Sequence, residues 1–92
     1  MTKFEIGRLV LTAGISTEFA DSKEFADEVR QSYAKYTQCD WGDTCKNDAK
    51  LNDDAVKNND RIVARYNTSK GAIFIITEWD RSYTTIMFTC EY

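Results

Sequence analysis

Apolar residues recur along this chain with two distinct periods, and the change between them predicts the order of elements. Phe4, Ile6, Leu9 and Val10 form a short apolar stretch that ends at Leu11, read as a first strand over Phe4–Leu11 and closed by a turn at Ala13-Gly14. Helical character follows, with Ser16 and Ser22 as candidate N-caps and Glu18 and Glu24 as first-turn acids. Phe25, Val29, Tyr33 and Tyr36 then recur at the spacing of one helix face, which predicts a helix over Lys23–Tyr36. Thr37–Thr44 has no period and reads as a loop. A second helix with a thin apolar face (Ala49, Leu51, Ala55, Val56) is predicted over Lys46–Lys57, capped by Thr44 and ended by Asn58-Asn59-Asp60.

The last third of the chain has the period of strands. Ile62 and Ala64 alternate with Val63 and Arg65, and Ser69-Lys70-Gly71 predicts a hairpin turn. Ala72–Thr77 is dense in β-branched residues and reads as a central strand, with Ile73, Ile75 and, on the next strand, Phe88 in the core. Glu78–Ser82 predicts a second turn, and Tyr83–Cys90 alternates as a half-buried strand. The expected fold is α+β: a small antiparallel sheet in the order β-α-α-β-β-β, with two helices packed on one face.

Ninety-two residues make a single domain, residues 1–92, whose core is small enough that a metal, a partner or a dimer would add usefully to it. With 42% hydrophobic and 13% aromatic residues the chain is not a disordered one. No apolar run approaches the roughly 20 residues that span a bilayer, and Lys3, Glu5 and Arg8 interrupt the first ten residues where a signal peptide would need an apolar segment. A cytoplasmic protein without membrane association is expected.

Charge sharpens this. The net charge of -3 is unevenly placed: residues 18–60 hold eleven acids and six bases, and the rest of the chain four acids and six bases. An acidic middle disfavours direct nucleic-acid binding, which needs a basic surface, and favours a basic protein partner. The acids that would meet it are Glu18, Asp21, Glu24, Asp27 and Glu28 on the first helix, with Asp48, Asp53 and Asp54 on the second. Trp41 and Trp79 fall in loops and are candidate contact aromatics.

Histidine is absent, which removes the commonest general base and zinc ligand. The chemistry that is left lies in Cys39, Cys45 and Cys90. Three readings stay open for them: reduced thiols, a disulfide, or a structural zinc site completed by an oxygen ligand such as Asp43. The three cysteines are expected to converge, because the loop before the second helix must pack near the end of the sheet where Cys90 closes the last strand, and zinc there would stabilise so small a domain. Asp40 and Asp43, or Glu78 and Asp80, could hold Mg²⁺ in a nuclease, but Asp residues around Trp-Gly and Trp-Asp more simply form turns and caps. No enzymatic activity is expected.

The segments Cys39-Asp40-Trp41-Gly42-Asp43, Leu51-Asn52-Asp53 and Ile76-Thr77-Glu78-Trp79-Asp80-Arg81-Ser82-Tyr83-Thr84-Thr85-Ile86, the ending Glu91-Tyr92 and the opening Lys3-Phe4-Glu5-Ile6-Gly7 resemble a family of small proteins carried on plasmids, integrative elements and phages of Firmicutes and related bacteria. The resemblance covers nearly the whole chain. It implies an anti-CRISPR protein: a phage-borne, stoichiometric inhibitor that binds Cas9 or its guide-bound complex and blocks nucleic-acid loading or cleavage. An accessory module of a mobile element, binding another protein or a ligand, is the alternative.

Overall fold

Thr12 decides where the first strand stops. Its hydroxyl accepts from the Ile15 N–H and its carbonyl from the Ser16 N–H (2.9 Å), so the chain turns directly into a helix. Ala13-Gly14, expected as a turn, is the first turn of that helix. The computed structural model describes residues 2–92, and among these the elements are β1 (Arg8–Leu11), α1 (Ala13–Asp21), α2 (Lys23–Thr37), α3 (Lys46–Asn58), β2 (Ile62–Thr68), β3 (Gly71–Thr77) and β4 (Tyr83–Phe88), ending in a 3₁₀ turn over Thr89–Glu91. Ser22 caps α2 as expected, through the Phe25 N–H; Ser16 lies inside α1, and Cys45, not Thr44, takes the cap position of α3. No helix among the described residues is long and apolar enough to cross a membrane.

The fold is α+β, with three helices and a four-stranded sheet in the order β1-β4-β3-β2. β2, β3 and β4 form the expected antiparallel meander, in which Ala64, Ile75 and Ile86 lie abreast. The sheet as a whole is mixed, because β1 joins the far side of β4 in parallel. The first strand is also shorter than its apolar run. Gly7 adopts φ +67°, and a Cβ there would clash with the Arg81 carbonyl oxygen, so the chain kinks before Arg8. Phe4 and Ile6 therefore pack into the core instead of extending the sheet.

The strand alternation places Ile62, Ala64, Tyr66, Ile73, Ile75 and Ile86 inward against Phe25, Val29 and Tyr36 of α2 and Ile15 of α1. Phe88, expected in the core, is half-buried at its margin and stacks on Phe25 at 5.5 Å. α3 lies against β2, and its apolar face is thin because Asn52 shares the docking. The Asn52 amide bonds both the N–H (3.2 Å) and the C=O (2.8 Å) of Val63.

One hydrogen-bonded chain crosses the core. The Thr84 hydroxyl donates to the Ile6 carbonyl (2.7 Å), so it accepts from Thr77 (2.7 Å), which in turn accepts from the Tyr36 phenol (2.6 Å). α2, β3, β4 and the N-terminal segment are thereby joined without an unpaired buried group. Burial pushes the Tyr36 phenol well above its ordinary range, against the smaller opposing effect of the Thr77 bond. Burial does the same to Tyr66, which donates to the Asp40 carbonyl at 2.8 Å.

A pH dependence follows. Above about pH 10 an unfolded tyrosine loses its proton, while the folded chain still holds both. The native state then binds more protons, so its stability is complete below that pH and falls as pH rises beyond it. The expected slope approaches about 1.4 kcal/mol per pH unit for each of the two phenols. Urea melts at rising alkaline pH should show the decline, and Tyr66→Phe should remove about half of it.

Candidate functional site

The two loop tryptophans have opposite fates. Trp41 is buried: its ring packs against Tyr36 (5.6 Å) and Phe4 (6.1 Å), and its Nε1 donates to Asp53 Oδ1 at 2.9 Å. Trp79 is 65% exposed at the tip of the β3–β4 hairpin. Sequence position alone does not separate them, because Trp41 is enclosed by partners from α2, α3 and the N-terminal segment together.

The hairpin that carries Trp79 is fixed by its own polar groups. Asp80 Oδ1 accepts from both the hydroxyl (2.6 Å) and the N–H (3.1 Å) of Ser82, and these two bonds hold its carboxyl below the usual carboxylate range. The Glu78 N–H donates to the Tyr83 carbonyl, and the Arg81 N–H to the Glu78 carbonyl. Arg81, at φ +59°, turns its guanidinium inward onto the carbonyls of Ala55 (2.8 Å), Asp60 (2.7 Å) and Glu78 (3.1 Å). It thereby closes the C-terminal end of α3, where a cation also meets the negative end of the helix dipole. The Thr-Glu-Trp-Asp-Arg-Ser segment is thus a brace, with its indole turned outward. Beside that indole lies a shallow depression of about 330 Å³ lined by Glu5, Asn59, Asp80 and Arg81.

The Asp-Trp-Gly-Asp loop seals a sheet edge. The outward N–H and C=O of Arg65 on β2 bond the Thr44 hydroxyl (2.8 Å) and the Asp43 N–H (2.9 Å), and the Asn67 N–H donates to Asp43 Oδ2 (2.8 Å). Together with Asn52 on Val63, these contacts occupy the outward N–H and C=O of Val63 and Arg65 and the N–H of Asn67 on β2. Asp40 accepts from the Gly42 N–H at 3.1 Å. The four acids weighed as a Mg²⁺ site are thus engaged in turns and pairs, Glu78 with Arg61 at 3.5 Å among them.

Cys39, Cys45 and Cys90, expected to converge with Asp43, lie after α2, at the start of α3 and in the turn after β4. Among the described residues no group of three or more Cys, Asp or Glu side chains is arranged to hold a metal ion. Asp43 is committed to the edge of β2, Cys45 is exposed where α3 begins, and Cys90 is exposed in the turn after β4. All three thiols are free. Cys39 is half-buried, and burial raises its thiol pKa, with Lys3 acting the other way.

The acids divide likewise. Glu28 accepts from the Ser69 N–H (3.0 and 3.1 Å) and hydroxyl (2.6 Å), clamping the β2–β3 turn to α2. Asp27 pairs with Arg30 at 3.2 Å, and Asp53 holds Trp41. Glu18, Asp21 and Glu24, which flank the α1–α2 junction, have no ion pair or side-chain hydrogen bond among the described residues, nor do Asp48 and Asp54 on α3. Asn52 and Arg81 act as locks that no motif marks; their signals in the sequence are a polar residue within a thin helix face and a lone base within an acidic turn.

Comparison with protein-family models, with curated proteins and with solved structures finds no match to this chain.

Proposed function

We propose that the chain is a non-catalytic protein-binding module, acting in the cytoplasm of a bacterial host as a stoichiometric inhibitor of Cas9 or its guide-bound complex. The observation that carries the binding reading is Trp79: a large aromatic left 65% exposed on a turn whose polar groups are spent in holding it still. Such a turn loses little backbone freedom on docking, and tryptophan is among the residues enriched as energetic anchors at protein interfaces. Glu5 and Asp80 beside it, and Glu18, Asp21 and Glu24 at the α1–α2 junction, favour a partner with basic surface around an apolar pocket. Cas9 presents basic channels for its guide and target, and the family resemblance of the Asp-Trp-Gly-Asp and Thr-Glu-Trp-Asp-Arg-Ser segments supports it as that partner.

Capture of purified Cas9 by the immobilised protein, with and without guide RNA, tests the assignment. Retention of at least one form supports it; retention of neither leaves the alternative, a binding module of a mobile element unrelated to CRISPR. The acidic contribution has its own test. Reversal of Glu18, Asp21 and Glu24 to lysine should slow association severalfold at low salt and flatten its salt dependence, with the melting temperature little changed. Glu28 is left intact because it clamps Ser69. An unchanged association rate at low salt would remove the acidic surface from the account.

A further inference from the structure

The two edges of the sheet are treated in opposite ways. That of β2 is closed by Asn52, Thr44 and Asp43. That of β1 is open. Arg8 and Thr12 send their N–H groups to Ser82 and Ile86 of the β4 side, so the alternation turns the N–H and C=O groups of Leu9 and Leu11 outward. Among the described residues these outward groups have no hydrogen-bond partner. The side chains there are apolar as well: Leu9 is 45% and Val10 37% exposed, and Tyr83, paired with Arg8, is 42% exposed. Half of the six large exposed hydrophobics among the described residues thus gather at one short edge. Neither lysine, proline nor a bulge guards it.

We propose that β1 pairs with β1 of a second copy of this chain, in antiparallel register about a two-fold axis at Val10, making one eight-stranded sheet across a homodimer. The register follows from the backbone. With Val10 facing Val10, Leu9 faces Leu11 of the second copy, and the residues with outward groups meet as hydrogen-bonded pairs on both sides of the axis. Charge agrees with this register. Arg8 falls opposite Thr12 of the second copy, whose hydroxyl donates to Glu91 at 2.8 Å, so a guanidinium comes beside a carboxylate twice. A strand of an unrelated protein could use the backbone groups, but the symmetry of the Leu-Val-Leu run and the Arg8–Glu91 match single out a second copy. Because β1 and β4 run parallel, the two Trp79 hairpins would stand at opposite ends of the joint sheet. The pairing itself does not depend on what Trp79 binds.

Sedimentation equilibrium across a wide concentration range tests it on the full chain. The expected mass rises with concentration from 10.6 kDa toward twice that value, and the melting temperature rises with it. Val10→Glu, which sets two carboxylates face to face at the axis, should hold the mass at that of the monomer and make melting independent of concentration. A second arm stands whether or not that variant folds. In a background with Cys39, Cys45 and Cys90 replaced by serine, Val10→Cys should oxidise to a covalent dimer, since the non-hydrogen-bonded pair brings the side chains closest, and Arg8→Cys should not. A monomeric mass at every concentration overturns the proposal and leaves the edge to a strand of another protein. A dimer that persists in folded Val10→Glu, or equal crosslinking at both positions, overturns it too.

Discussion

Ile75→Asp unfolds the domain. Ile75 is fully buried at the centre of the meander, with Ala64 on one side and Ile86 on the other. An unpaired carboxylate there costs several kcal/mol, and protonating it instead has its own cost and leaves a polar group without partners. The isoleucine side chain also contributes about 1.5–3 kcal/mol through burial, which is lost at the same time. Against a total of roughly 5–10 kcal/mol for a domain of this size, the sum removes the native state. Circular dichroism and a thermal melt check it: the variant should show no cooperative transition, whereas Lys70→Asp on the exposed β2–β3 turn should melt close to the parent. A cooperatively melting Ile75→Asp protein would contradict the core as described.

The elements that are legible in the sequence are those whose cause is local. The alternation of Ile62, Ala64 and Tyr66 has a period of two whatever it pairs with, the run Ile73–Thr77 is rich in β-branched residues, and the meander follows. Ser22 caps α2 because a serine before Lys23-Glu24 has only its own chain to consult. What escapes the sequence depends on contacts between distant residues. α1 is hidden because Ala13-Gly14 is turn-like until the Thr12 hydroxyl is free to cap Ile15. The parallel pairing of β1 with β4 joins Arg8 to Tyr83 across most of the chain, and no pattern in either strand announces it.

The same limit governs the candidate site. Trp41 and Trp79 are equivalent as loop tryptophans; Asp53, Phe4 and Tyr36 make one of them core, and the inward turn of Arg81 leaves the other outside. Glu24 and Glu28 are indistinguishable as acids of one helix, yet Glu28 reaches across 41 positions to Ser69 and Glu24 reaches nothing among the described residues. Convergence of the cysteines is expected from where the loop before α3 must pack, which depends on contacts the sequence does not show. The loop is anchored by Thr44 and Asp43, and α3 by Asn52, at the edge of β2, through partners that no local pattern announces.

Trp79→Ala should abolish most of the binding energy while leaving the fold alone. The ring makes no hydrogen bond and packs on no other aromatic ring among the described residues, so its removal should cost little stability. At an interface a central tryptophan is worth about 2–4 kcal/mol, a loss of roughly 30-fold to 1,000-fold in affinity. Trp41→Ala should do the reverse: it empties a core site and strands the Asp53 contact, so it lowers the melting temperature substantially, by about 3–5 kcal/mol of stability, before any question of binding arises.

The most direct measurement is isothermal titration of purified Cas9, in whichever of its guide-free or guide-loaded forms retains the protein, with the wild-type chain and with Trp79→Ala of unchanged melting temperature. The account predicts saturable stoichiometric binding of the wild-type chain and a dissociation constant at least about 30-fold weaker for the variant. Equal affinity of the two proteins would contradict the role given to Trp79, and the absence of heat and retention with either form of Cas9 would contradict the partner.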